Sequence, residues 1–410
     1  MHNASLSPRR KRRSRSAVAL IVIAATTIAL GASALALAKT KHSRAGASTA
    51  VSLTSQPFGT VGTTPVRLYT LSNGHMNVNI TNFGGIVQSI DVPDSHGQMS
   101  DVTLGFKNLA GYEANDAPNQ PAGGSGTTYF GATIGRYANR IANGKFTLDG
   151  HTYTLPINNG PNTLHGGTNA WNQQVWTPTE RVGHDSVSLI LTLTSPDGQD
   201  GFPGTVVATV TFTLGHENAL QIQYHATTTK PTVINMTNHS YFNLAGEGSG
   251  SVLGQRLMIN ANSYTPTDAT QIPTRAIDPV AGTPMDFRQM KPIGQDITQD
   301  FSQLLIAHGY DHNWVLNGSG MRLAARAIDP VTGRELTVDT TEPGVQLYTG
   351  NFLVGDLVGT SGKIYRQGAG FTLETQHYPN SPNQPNFPTT TLNPGTPFNS
   401  TTVFQFSTVK

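Results

Sequence analysis

The chain of 410 residues contains no cysteine. Disulfides, thiolate metal sites and a cysteine-anchored lipid are therefore all excluded. Charge is scarce as well, with Asp, Glu, Lys and Arg together making up 12% of the residues. Neither a heptad nor a sustained helical period is present, and no repeat of roughly 20–50 residues is visible, which argues against coiled coils and solenoids. What basic charge there is collects at one end. Six of the 26 Lys and Arg fall in residues 1–38, which hold no Asp or Glu. The remainder carries 20 basic against 24 acidic residues, so the net positive charge belongs to the leader and makes no electrostatic case for nucleic-acid binding.

That leader has its own logic. The block Arg9-Arg10-Lys11-Arg12-Arg13-Ser14-Arg15 precedes an apolar run from Ala17 to Ala38 that closes on Ala36-Leu37-Ala38, the layout of a secretory signal with a small-x-small cleavage site. Twenty-two helical residues also suffice to cross a bilayer core of about 30 Å. Residues 1–38 are thus either a signal peptide or an N-terminal membrane anchor, and the expectation is an exported chain, secreted or anchored with its domain outside. Any membrane contact would run through residues 17–38 if they stay uncleaved. Residues 39–63 are expected to form a flexible linker, because their first part is small and polar.

Gly, Thr and Asn are abundant, and from Thr64 onward short alternating runs dominate. Met76–Ile80 alternates into the turn Asn82-Phe83-Gly84-Gly85. Phe146–Leu155 has Asp149-Gly150 between two alternating arms, which predicts a hairpin. Val187–Thr194, Val206–Leu214 and Leu220–Ala226 predict three closely spaced strands, and Thr402–Val409 a closing one. Many short strands that each bury one face predict an all-β fold, one large antiparallel β-sandwich over residues 64–410. Asn115–Thr127 contains almost nothing apolar and is expected to be a mobile loop.

Only seven Glu occur in the chain, and Glu374 sits inside the strand-like Phe371-Thr372-Leu373-Glu374-Thr375-Gln376. Alternation points its carboxylate away from Phe371 and Leu373. A carboxylate there needs a solvated cleft or a partner, since burying it alone is costly. Five other stretches embed polar groups among Gly, Asn and aromatics. They are Tyr129–Ile141 with Asn139-Arg140, Asn162–Gly167 with His165, Asn235–Leu244 with His239 and Tyr241, Gly309–Trp314 with Asp311, and Gly344–Asn351 with Gln346. Singly, each admits a plain structural role.

Together and in this order, these stretches resemble the motif set of the aldose 1-epimerases, the galactose mutarotases. The resemblance runs from about Thr64 to Phe406 and includes Ser381-Pro382-Asn383-Gln384-Pro385-Asn386-Phe387-Pro388. It implies a supersandwich with a sugar cleft on one sheet, a free aldohexose as substrate, and neither cofactor nor metal. Residue by residue, it assigns Glu374 as general base and His239 as general acid. Asn139, Arg140, His165, Asp311 and Gln346 would hold the sugar, and Tyr241, two residues past His239, would share its face. Arg136 and His312 lie inside the motifs but match no site residue, and are expected to be structural. Ring opening asks for this pairing: a proton leaves the C1 hydroxyl while another reaches the ring oxygen. Three other readings remain. A glycoside hydrolase could use Glu374 and Asp311 as its carboxylate pair. A non-catalytic sugar-binding module would keep only the hydroxyl-holding groups. A metal site could draw on His165, His239, Asp311 and Glu374, although their spacing matches no helix-borne ligand motif.

Overall fold

Alternation sets the larger layer. In the strand Val206–Gly215 every second side chain, from Val206 to Leu214, is buried, and the intervening ones face outward. Its neighbour Ala219–Thr228 pairs with it antiparallel, so that Val210 lies opposite Tyr224 and Phe212 opposite Ile222. Each such side chain contributes roughly 1.5–3 kcal/mol on burial. A one-residue slip would turn the whole row to solvent, so the register is strongly fixed.

A computed structural model describes residues 50–117 and 123–409. The expected signal or anchor, the first part of the expected linker and the middle of the Asn115–Thr127 loop lie outside the described residues. Among the described residues no helix is long and apolar enough to cross a membrane.

Three sheets of five or more strands make up most of the fold among the described residues, beside five two-stranded pairs. A nine-stranded antiparallel sheet begins at Thr177–Val182, Ser186–Ser195, Val206–Gly215 and Ala219–Thr228, and continues through Phe398–Thr408 to Arg334–Thr340, Arg322–Ile328, Arg256–Ile259 and Lys291–Pro292. The closing strand, expected over Thr402–Val409, thus lies in the middle of this sheet and joins its two halves. A five-stranded meander runs in chain order from Ser52–Val61 to Met99–Asp101. A six-stranded sheet orders Tyr241–Phe242, Phe371–Gln376, Gly344–Tyr348, Asp311–Leu316, Ala261–Thr265 and Asp278–Pro279. One apolar cluster draws on all three, with Ile80 and Ile90 from the meander, Val210 and Phe404 from the large sheet, and Leu347 and Leu373 from the six-stranded sheet. The expected sandwich is therefore what forms.

Two local expectations need correction. Ser52–Val61, inside the expected linker, is a strand paired with Thr64–Ser72, and its register shifts between Pro57 and Gly59. It is an outer strand with mostly exposed side chains, so it carries no apolar period to betray it. The described ends of the expected mobile loop are anchored. Asn115 closes the helix Leu109–Asn115, accepts from Thr128 N and Oγ1 at 2.9 and 2.8 Å, and donates to Gly126 O at 2.9 Å. Ser125 donates to Asp356 through both its backbone N–H and its hydroxyl. The Asp149-Gly150 hairpin forms as expected, with both turn residues at positive φ (50° and 78°).

Candidate active site

The six-stranded sheet is apolar on one face and polar on the other. Antiparallel register aligns Tyr241 with Thr372, Thr372 with Tyr348, and Tyr348 with Asp311 in one row; Glu374, Gln346 and Asn313 form the next. Because side chains alternate, all seven project to the same face. Leu373, Leu347 and His312 project to the other. The expectation that Glu374 points away from Phe371 and Leu373 holds. Its strand, however, is buried on both faces rather than half-exposed.

His239 reaches this face by a different route. It lies between two strands of two residues each, Thr237–Asn238 and Tyr241–Phe242, and is held by His239 N to Ala132 O at 2.9 Å and Gly131 N to His239 O at 3.0 Å. Tyr241 does share its face, with ring centroids 5.2 Å apart, although no continuous strand links them. The imidazole Nε2 stands 3.5 Å from Glu374 Oε1. Glu374 Oε1 also accepts from Thr372 Oγ1 at 2.9 Å. The outer atoms of the pair, Glu374 Oε2 and His239 Nδ1, have no hydrogen-bond partner among the described residues.

Two further groups come from loops. Asn139 and His165 both adopt left-handed backbone conformations (φ 65° and 51°), which turn the chain sharply at each motif. Gly166 follows at φ 94°, and a Cβ there would lie 2.3 Å from Gly135 O, so only glycine fits behind His165. His165 Nδ1 accepts from Asn139 N at 3.1 Å, which leaves its Nε2 to carry the proton. Its ring meets that of His239 edge-on at 5.0 Å. Asp311 accepts from Gln346 Nε2 at 2.7 Å and Gln271 Nε2 at 2.9 Å, with Arg140 Nη2 3.6 Å from its Oδ2.

All eight residues singled out in the sequence are buried, and all except Gln346 line one cleft of about 760 Å³. That volume lies within the range of small-molecule sites. Gln346 stands behind Asp311 and orients it. Arg136 donates to Pro203 O, Gly204 O and Ser195 Oγ in the interior, and His312 contacts Gln303 Oε1 at 3.2 Å from the core face; both are structural, as expected. Sequence reasoning missed Tyr129, whose ring packs 4.6 Å from His165 and 5.7 Å from His239. It also missed Thr372 and Gln271. Tyr129 and Thr372 were inside quoted motifs, whereas Gln271 lay in none.

Burial governs the titrations. Desolvation, aided by the charge of Asp311 and opposed by the Thr372 hydrogen bond and Arg140, pushes the Glu374 carboxyl up to about 8. Desolvation pulls His239 down to about 4, and His165 lies well below its usual value for the same reason, with the charges of His239 and Arg140 acting in the same direction. Around neutral pH the pair therefore holds one proton, and a separation of 3.5 Å lets that proton reside on either partner. His165, kept neutral, is a fixed donor toward the cleft.

His165, His239 and Glu374 also offer ligand atoms within 4.8 Å of one another, the one such trio among the described residues. Asp311, the fourth member of the metal reading, is not part of it. Two imidazoles and a carboxylate are a donor set that zinc accepts, but the same atoms suit proton transfer.

Residues 67–405 match the family model described as aldose 1-epimerase. The galactose mutarotase of Rattus norvegicus is 44% identical over 361 residues, covering 87% of this chain and 99% of that protein. The aldose 1-epimerase of Escherichia coli strain K12 is 38% identical over 347 residues, covering 83% and 95%. Among solved structures, the galactose 1-epimerase of Lactobacillus acidophilus superposes with a TM-score of 0.76 at 28% identity, covering 88% of this chain and all of that one.

Proposed function

The chain belongs to the aldose 1-epimerase family, and from that premise we propose that it interconverts the α and β anomers of free aldohexoses such as glucose and galactose. The observation that carries this reading is the His239–Glu374 pair, 3.5 Å apart on one face of a polar cleft. The Glu374 carboxylate accepts the proton of the C1 hydroxyl while the His239 imidazolium gives one to the ring oxygen. The C1–O5 bond breaks and C1 becomes an aldehyde carbon. Rotation about C1–C2 presents the other face. Glu374 then returns a proton to O1, His239 takes back that on O5, and the ring closes. The pair begins and ends with one proton; the opposed shifts rest it on Glu374, and its transfer to His239, 3.5 Å away, gives the carboxylate and imidazolium that react. His165 Nε2–H acts as a donor to the sugar oxygen where negative charge develops, and Arg140 donates to hydroxyls that hold the ring. Asp311 accepts from hydroxyls, held in place by Gln346 and Gln271.

The glycosidase reading gains nothing from the geometry. Both Asp311 oxygens already accept from amide donors, with the Arg140 guanidinium alongside, so the carboxyl is held as a hydrogen-bond acceptor rather than aimed at a glycosidic oxygen. Polarimetry on freshly dissolved α-glucose and α-galactose tests the proposal, with Glu374→Gln and His239→Asn beside the wild type. Wild-type rates in both variants would end it, as would release of the aglycone from an aryl glycoside.

The leader supports a further part of this reading, that the enzyme works outside the cytoplasm and equilibrates anomers before uptake. Fractionation of cells producing the full chain or one lacking residues 1–38 decides this. Equal cytoplasmic retention of both would refute export.

A further inference from the structure

Gln271 belongs to no motif, yet it stands between two groups that face the sugar. Its Oε1 accepts from Arg140 Nη2, and its Nε2 donates to Asp311 Oδ2 at 2.9 Å. Arg140 and Asp311 approach each other only to 3.6 Å, too far for a hydrogen bond. Asn159 holds Arg140 Nε and Gln346 holds Asp311 Oδ1, so without the amide between them Arg140 Nη2 and Asp311 Oδ2 would close into a direct pair and use up the hydrogen-bonding capacity needed for hydroxyls.

The backbone shows that this placement is imposed. Gln271 has φ 61°, a left-handed conformation that costs a non-glycine residue free energy. The loop around it is built to hold that conformation. Asp268 Oδ1 accepts from Thr270 N, Thr270 Oγ1 and Ile272 N at 2.8, 2.8 and 3.1 Å. Thr267 bridges Pro273, Gln303 ties down Thr267 through both its amide atoms, and Asn162 Nδ2 holds Thr270 O at 3.1 Å. Glycine would relieve the strain but would lose both side-chain hydrogen bonds.

We propose that Gln271 is a positioning residue for aldohexose binding: its side-chain amide, bridging Arg140 and Asp311, keeps the two apart and poised for sugar hydroxyls. The inference rests on the epimerase reading for the identity of the sugar. Because Arg140 and Asp311 hold the ring rather than attack C1, loss of the bridge weakens binding far more than it slows the chemical step.

Two variants in the full chain test it. Gln271→Gly removes both hydrogen bonds and the backbone strain together; Gln271→Glu keeps an acceptor for Arg140 but sets a second carboxylate against Asp311. In Gln271→Gly, KM in polarimetry and the galactose Kd in calorimetry should each rise about tenfold, the worth of a hydrogen bond to a charged group. Its kcat should stay within about threefold, and its Tm should be unchanged or higher. Gln271→Glu should lose at least as much affinity. A structural role would instead lower Tm and leave Kd alone. Kd within about twofold of wild type in either variant overturns the inference. A wild type that binds galactose without equilibrating its anomers overturns the epimerase reading, while calorimetry still reads the part played by Gln271. A wild type that does not bind galactose overturns both.

Discussion

The nine-stranded and six-stranded sheets obey the same geometry and spend it differently. In the large sheet strands such as Val206–Gly215 and Ala219–Thr228 offer one apolar face to the core and one polar face to water. In the six-stranded sheet both faces of Phe371–Gln376 are buried, one among Leu347 and Leu373 and the other beneath a cleft. Thr372, Glu374 and Gln376 lie in an interior that ordinary folding would fill with Val and Ile. Gln376 keeps both amide atoms without a partner among the described residues, as Glu374 keeps Oε2. Such groups cost stability wherever water or a ligand does not meet them. The contrast separates residues that hold the fold from residues that the fold holds for chemistry.

The sharpest way to break that contrast is to remove the proposed acid or the proposed base. Glu374→Gln and His239→Asn should each lower kcat by about 10²–10⁴-fold in polarimetry, the usual worth of a placed acid or base. Both should stay folded, because Glu374 rests protonated and His239 neutral around pH 7. Unfolding of either variant at room temperature would place these residues with the core instead.

Phe212→Ala, on the apolar face of the large sheet, should show the reverse. We expect a loss of about 3–5 kcal/mol in denaturant unfolding with kcat per folded molecule unchanged. A matching loss of kcat would mean that the two sheets are not separable.

The pH profile sharpens the comparison further. Activity should be level between about pH 4 and 8, falling above 8 as the pair gives up its one proton and below 4 as His239 gains a second. Stability follows the same groups. The folded-state pKa of Glu374 is raised from 4.5, so its contribution is full below 4.5 and is lost as pH rises through about 8. That of His239 is lowered from 6.5, so its contribution is present above 6.5 and is lost as pH falls through about 4. Replacing Glu374 by Gln should flatten the alkaline decline in Tm and leave the acid one.

The smallest effect is expected from Thr372→Val. It removes the hydrogen bond that favours the Glu374 carboxylate, so the alkaline limb of the activity profile should move to higher pH with the plateau rate little altered. A shift toward lower pH would show that Thr372 does not favour the ionised form.

The same contrast explains how much was readable in advance. Period-two patterning exposed four strands of the large sheet, Ser186–Ser195, Val206–Gly215, Ala219–Thr228 and Phe398–Thr408, and Asp149-Gly150 announced its hairpin, because both signals are local. Glu374 was readable since an acidic residue between Leu373 and Thr375 breaks an otherwise strand-like run. His239 could be named through its motif, but its setting between two minimal strands could not be foreseen. The strand Ser52–Val61 was hidden by its outer position, Pro57 and Gly59. Gln271 was invisible for another reason: its meaning lies in what it touches, and Arg140 and Asp311 are 131 and 40 positions away.

The Glu374–His239 couple also bears on how the reaction meets its surroundings. A couple that lends a hydrogen ion to one oxygen and reclaims it from another closes its own cycle. Turnover should then be indifferent to buffer concentration, unlike the spontaneous reaction in water. Neither C–H bond beside the reacting oxygens is touched, so sugar turned over in heavy water should keep its carbon-bound hydrogens.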